Sequence, residues 1–215
     1  MDSRPSCPCA ESSEKETRTP RTHLVPMVTQ PAPPWSGAAV INAKMQELSS
    51  RSYAKKYLVL LFYSCNFSFV CPTEIIQFSD RIADFRALEA EVVAVSTDSK
   101  YAHFAWVMTP RKQGGLGEMR IPLLADRNHE IARAYGVLNE KEGTAYRALF
   151  VIDRQQNIRQ VTINDENLPR SVDEVLRLIK LCCYADEHGS VCPYGPLQTV
   201  ASSSGDDESR YFDTT

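Results

Sequence analysis

YLVLLFYSCNFSFVCPTEIIQFSDRIADFRAL, residues 57–88, reads as an apolar strand, a short turn and an amphipathic helix, with Cys71 where turn and helix meet. Leu58, Val59, Leu60, Leu61, Phe62 and Tyr63 form an unbroken apolar run, which suits a strand buried on both faces in the middle of a sheet. Pro72 fits the first helical position, where its missing N–H has no intrahelical partner, and this places Cys71 at the cap. Ile75, Phe78, Ile82 and Phe85 follow at steps of three and four, giving one apolar face for packing on the sheet. A thiol at such a helix start meets unpaired backbone N–H groups and the positive end of the helix dipole, both of which favour the thiolate. A free thiol, with an ordinary value of about 8.5, is only a few per cent ionised at neutral pH. Full ionisation would add roughly 30-fold in nucleophile, about 2 kcal/mol. The plainer alternative is a buried structural cysteine, but Pro72 and the helix behind it fix Cys71 at a terminus.

Outward from this unit the pattern alternates. Gln30 to Lys56 reads as a β-ribbon and turn, in a segment where Pro33 and Pro34 exclude helix. Glu91 to Thr97 is a second apolar strand, and Ser99 to Thr109 is a helix that Pro110 ends. Leu123 to Ala125 begins another strand, and Asn128 to Tyr135 is a helix stopped by Gly136. Ala145 to Asp153 and Ile158 to Ile163 are strands of a hairpin joined by the polar turn RQQN. Ser171 to Cys183 is a helix opened by the capping box Ser171-x-x-Glu174. The order predicts an α/β domain with a central mixed sheet flanked by helices, as a thioredoxin-like fold would produce.

The chain has 215 residues, 43% of them hydrophobic, enough for one globular domain with tails. Its net charge of −3 gives no support for nucleic acid or a membrane surface as partner, and no apolar run reaches the roughly 18 residues needed to span a bilayer. The organisation expected is a disordered N-terminal extension over 1–29, the core domain over 30–184 and a C-terminal tail over 185–215. Asp2, Glu11, Glu14 and Glu16 interrupt any mitochondrial presequence, and no continuous apolar stretch marks a secretory signal, so the expected location is cytoplasmic. Cys7 and Cys9 form a C-P-C pair that could bind metal or cross-link subunits, or do neither in a reducing cytosol. Cys182, Cys183, His188 and Cys192 lack the paired C-x₂₋₄-C elements of a zinc site, and Cys182 and Cys183 continue the apolar stripe of Val172, Val175 and Ile179. No metal and no organic cofactor are expected.

Arg147 lies among apolar strand residues, where a charge is costly unless paired. It is either half of a structural ion pair or a fixed cation serving chemistry nearby. Cys192 sits beyond the last helix in a loop bounded by Gly189 and Pro193.

The segment FSFVCPTEIIQFSDR, residues 67–81, closely resembles the active-site segment of the typical 2-Cys peroxiredoxins. The resemblance continues through VVAVSTDSKYAHFAWVMTPRKQGGLGEMRIPLLAD, AYRALFVID, RSVDEVLRLI and DEHGSVCP, covering roughly Gln30 to Pro193, with a weaker match at Tyr211 and Phe212. It implies a thioredoxin-like fold and a peroxidase acting on hydrogen peroxide and small organic hydroperoxides. By the resemblance, Cys71 is the peroxidatic cysteine, and Cys192 is the resolving thiol that attacks the sulfenic acid of the partner subunit. Thioredoxin is the implied dithiol reductant. The implied assembly is a head-to-tail homodimer with an intersubunit Cys71–Cys192 disulfide, with a decamer of five dimers as the larger form. Arg147 becomes the cation that stabilises the thiolate and the charge developing on the breaking O–O bond. Ser68, at the family's threonine position, can donate to the thiolate or accept from the peroxide. Glu74 can orient Arg147 through a bidentate pair, and Arg170 is a further supporting residue.

The departures from the family are specific. Its active-site proline, in P-x-x-x-T-x-x-C, is Ser64 here, which lacks proline's fixed φ and apolar shielding. Cys65 stands at a position usually apolar, as a small hydrophobe or a competing disulfide partner. Gly114 to Gly117 and the Tyr211–Phe212 pair resemble the elements of peroxiredoxins sensitive to over-oxidation, but the tail between Pro193 and Tyr211 lacks the family's usual tryptophan. Two other readings remain open from the sequence. One is a redox-regulated chaperone or peroxide-signalling protein with weak turnover. The other is a thioredoxin-like disulfide reductase, against which the lack of a C-x-x-C counts.

Overall fold

The computed structural model describes residues 25–68 and 71–189. Its centre is β3, Tyr57–Phe62, in which every residue is buried. On one side it pairs in parallel with β4, Ala90–Ser96, which pairs in parallel with β5, Leu123–Ala125. On the other it pairs antiparallel with β8, Arg147–Ile152, which continues to β9, Ile158–Asn164. The ribbon of β1, Ser36–Ile41, and β2, Lys44–Ser49, joins the β5 edge antiparallel, completing a seven-stranded sheet in the order β2-β1-β5-β4-β3-β8-β9. A separate ladder pairs β6, Leu138–Asn139, with β7, Thr144–Ala145.

Alternation along β3 divides the core between two layers, because successive side chains of a strand face opposite sides. Tyr57, Val59 and Leu61 face a cluster with Ile75, Phe78, Ile82, Phe85, Trp106, Val175 and Ile179. These come from α1 (Cys71–Asp80), α2 (Ile82–Arg86), α3 (Lys100–Met108) and α5 (Val172–His188). Leu58, Leu60 and Phe62 face a second cluster with Trp35, Tyr135 and Phe150, and with Ile131 and Ala132 of α4, Glu130–Ala134. The mixed sheet flanked by helices is a thioredoxin-like architecture, as the alternation in the sequence requires.

Several boundaries differ from the sequence expectation. The helix after Cys71 is two pieces. At Arg81 the chain tightens, Asp84 N–H donating to the Arg81 carbonyl three residues back, and the second piece is re-aimed so that Ile82 and Phe85 stay on the core. The helix starts at Cys71 itself, one residue earlier than Pro72 suggests. The strand expected from Ala145 is interrupted at Tyr146, so Arg147 opens β8. The last helix continues beyond Cys183 to His188, fastened by Asp186, which accepts from the Tyr57 hydroxyl and from Arg159 Nη1 at 2.6 Å. Of the capping box read at Ser171, the serine half is present: Ser171 Oγ accepts from Glu174 N at 3.3 Å, while the Glu174 carboxylate accepts from Arg177 instead. Ser99 caps α3 in the same way, its Oγ accepting from Ala102 N.

Candidate active site

Cys71 is held at the start of α1 by Ile75 and Phe78, which lock the helix onto the face of β3 and β4. Arg147 is delivered from the neighbouring strand, at the first position of β8. Its Nη1 donates to Cys71 Sγ at 3.3 Å and its Nη2 to Glu74 Oε2 at 2.7 Å. Glu74 lies one turn beyond Cys71 on α1, so one helix turn carries both the sulfur and the carboxylate that aims the guanidinium.

A second guanidinium fixes the carboxylate in turn. Arg170 donates to Glu74 through Nε at 2.8 Å to Oε1 and Nη2 at 2.6 Å to Oε2, a bidentate fork, while its backbone N donates to Oε1 at 2.7 Å. Its Nη1 also donates to the carbonyls of Phe62 and Ala148, each at 2.6 Å, tying the cluster to β3 and β8 at once. The exposures are 1% for Cys71, 1% for Arg147, 2% for Glu74 and 6% for Arg170. Burial would raise the Glu74 carboxyl. The Arg170 hydrogen bonds and charge, with the Arg147 charge, outweigh it and hold Glu74 below the usual carboxylate range. The triad therefore holds one negative and two positive charges behind the sulfur, in a site where water screens little.

The loop between β3 and α1 has its own fastening. Tyr63 N donates to the Val95 carbonyl at 3.0 Å, extending the β3 pairing by one residue. The Tyr63 hydroxyl donates to Asn66 Oδ1 at 2.9 Å, and Asn66 N donates to Asp98 Oδ2 at 2.8 Å. His103, fully buried on α3, places Nδ1 beside Asn66 and the Tyr63 hydroxyl and Nε2 at 3.3 Å from the Leu124 carbonyl. Burial pushes the imidazole down to about 4, against the pull of Asp98 and the Leu124 carbonyl, so His103 is neutral at neutral pH.

Of the residues singled out in the sequence, Cys71, Glu74, Arg147 and Arg170 come together in one cluster. Ser68 does not reach the sulfur. Phe67, at φ 57°, reverses the chain just before it, and Ser68 Oγ is enclosed without a hydrogen-bond partner. The hydroxyl that does approach is that of Ser64, with Oγ 3.6 Å from Cys71 Sγ. Cys192, Cys7, Cys9, Tyr211 and Phe212 lie outside the described residues. Cys65, Cys182 and Cys183 are half-buried free thiols, and the last two pack against the main core as their stripe suggests. The fastening by Tyr63, Asn66, Asp98 and His103 was not legible beforehand, since these residues lie far apart in sequence and no motif links them.

A guanidinium donating to a buried cysteine sulfur at a helix start, with no second thiol at C-x-x-C spacing, sets this site apart from that of a C-x-x-C disulfide reductase on a thioredoxin-like fold. The chain belongs to the AhpC/TSA family, whose model matches residues 28–161. Peroxiredoxin 2 of Drosophila melanogaster is 49% identical over 193 residues, 89% of this chain and 100% of that protein. Peroxiredoxin-4 of Bos taurus is 54% identical over 168 residues, 78% of this chain and 61% of the longer relative. The solved reduced 2-Cys peroxiredoxin of Plasmodium vivax superposes with a TM-score of 0.77 at 34% identity, covering 80% of this chain and 89% of the other.

Proposed function

We propose that the chain is a thiol peroxidase that reduces hydrogen peroxide and small organic hydroperoxides through Cys71. The observation that carries this reading is the Arg147 guanidinium, 3.3 Å from Cys71 Sγ and locked by Glu74 and Arg170. The Cys71 thiolate attacks one peroxide oxygen and the O–O bond breaks. The departing oxygen takes a proton and leaves as water or an alcohol, and Cys71 is left as a sulfenic acid. Arg147 is placed to stabilise the anionic sulfur before reaction and the negative charge spreading onto the oxygens during it. Arg147 Nε and Ser68 Oγ are buried polar atoms without protein partners, free to meet a substrate oxygen.

Resolution falls to Cys192 of a second subunit. Its thiol attacks the sulfenic sulfur, water leaves and an intersubunit disulfide closes. A dithiol protein, thioredoxin by the family pattern, returns both cysteines to thiols by exchange. The unit of function is then a homodimer, with a decamer as the larger assembly, and the segment that follows α5 carries Cys192. The free thiols at Cys65, Cys182 and Cys183 suit a reducing compartment, and we place the protein in the cytoplasm.

The test is hydrogen peroxide consumption with thioredoxin, its reductase and NADPH, for the wild type, Cys71→Ser and Cys192→Ser, beside non-reducing gels. Turnover in wild type, its loss in both variants and a peroxide-dependent dimer in wild type alone support the reading. A wild type that is inactive, or a dimer that survives loss of Cys71, overturns it.

A further inference from the structure

We propose that Ser64, standing where the family carries a proline, is a working part of the site: its hydroxyl donates a hydrogen bond to the Cys71 thiolate. The contact is Ser64 Oγ to Cys71 Sγ at 3.6 Å, within the reach of a hydrogen bond to sulfur. While the sulfur carries its proton either atom can donate; once the sulfur is an anion, only the hydroxyl can. The thiolate then accepts from two sides, from Arg147 Nη1 on β8 and from Ser64 on the exit of β3.

Placement makes this more than a passing contact. Ser64 lies between two pinned points. Tyr63 before it is bonded through N to Val95 and through its hydroxyl to Asn66, and Asn66 after it is bonded through N to Asp98. A hydroxyl on so short a tether loses little freedom in meeting the sulfur. Ser68 leaves the position unfilled, since its own oxygen has no partner.

Cys65 fits the same arrangement. Burial raises its thiol, with a hydrogen bond from Ser64 acting the other way, so Cys65 keeps its proton at neutral pH. A protonated Cys65 has no need of the serine proton, which is left for the anion at Cys71. A proline at position 64 could offer no donor at all. The substitution therefore exchanges apolar cover over the sulfur for a hydrogen bond to it.

The inference rests on the peroxidase reading only for its substrate, so its test does not depend on peroxide. The full chain is compared as wild type, Ser64→Ala, Ser64→Thr and Ser64→Val. Alkylation of Cys71 by iodoacetamide is followed against pH by mass spectrometry of the Cys71 peptide, and oxidation by hydrogen peroxide is measured in parallel. Loss of one hydrogen bond to the anion should move the alkylation profile of Ser64→Ala upward in pH, with a fall of about three- to tenfold in rate near neutrality. Ser64→Thr should keep the wild-type profile. Thr and Val have nearly the same shape and differ by the hydroxyl, so their comparison decides the matter even where Ala disturbs the loop. Coincident profiles for Thr and Val, or for Ala and wild type, overturn the proposal. A wild type inert to peroxide whose Thr and Val alkylation profiles still differ sinks the peroxidase reading and leaves the Ser64 contact standing.

Discussion

Glu74 is the residue on which the site's geometry turns, because it lies between two buried guanidiniums and accepts from both. Replacing it with glutamine leaves two cations facing each other without a counter-charge. Breaking a buried pair of this kind costs about 3–5 kcal/mol. Glu74→Gln should lower stability to chemical denaturation by that order and slow peroxide reduction, since Arg147 loses the partner that aims it. The pH dependence has a definite sign. The folded carboxyl is held below its ordinary value, so its contribution is present above the ordinary carboxylate range and is lost as pH falls through the folded value. A Glu74→Gln variant as stable as wild type at pH 7 would show that the triad does not hold the site. His103 makes a second residue-scale prediction, of the opposite origin. Its folded value is about 4 against an ordinary 6.5, so between the two the unfolded chain takes a proton that the folded chain refuses. Stability should therefore fall as pH drops through this window, by about 2 kcal/mol between pH 7 and 5 from this group alone. Denaturation of His103→Asn at both pH values should show that much less pH dependence than wild type, whatever the substitution costs at pH 7. Equal slopes would contradict the account.

At the scale of elements, the loop after α3 is fastened to α1. Arg111 donates to Asp80 through Nη1 at 3.1 Å and Nη2 at 2.8 Å, and through Nε to the Leu116 carbonyl at 3.0 Å. Within the loop, a Cβ added at Gly115 would stand 1.9 Å from the Thr109 carbonyl oxygen and 2.4 Å from its carbon, both backbone atoms. Gly114 has φ +81° but open space around it. Gly114→Ala should cost about 1–2 kcal/mol of left-handed strain, and Gly115→Ala should cost more, because main chain must move. Thermal or chemical denaturation gives the ranking, and Gly114→Ala as the worse variant would contradict it. What could be read of these elements beforehand follows from what is local. β3 shows itself because all its residues are apolar, α3 because Pro110 ends it, and α5 because a capping serine precedes it. The extension of α5 to His188 depends on distant partners, Tyr57 and Arg159, which no local pattern announces.

For the whole molecule, the sheet order explains why the site lies where it does. β3 supplies the loop that carries Ser64, the adjacent β8 supplies Arg147, and Arg170, just before α5, bonds to the carbonyls of both strands. Cys71 and Arg147 were legible as candidates because a helix-start cysteine and a charge among apolar strand residues each violate a local expectation. Their meeting, across 76 positions of sequence, was not legible, since it depends on the antiparallel pairing of β3 with β8. Ser64 could be seen as a departure, while its approach to the sulfur belongs to the folded loop alone. On the function proposed above, Arg147, 3.3 Å from Cys71 Sγ, is what makes that sulfur fast with peroxide. The most direct measurement is the second-order rate constant for hydrogen peroxide with the reduced protein under single-turnover conditions, for wild type, Cys71→Ser and Arg147→Ala. The wild type should exceed a free cysteine thiolate, the Cys71→Ser reaction should vanish, and Arg147→Ala should lose about 100-fold or more, the usual effect of removing one preorganised donor from developing charge. A wild-type rate no greater than that of a free thiolate, or one that survives the loss of Arg147, would contradict it.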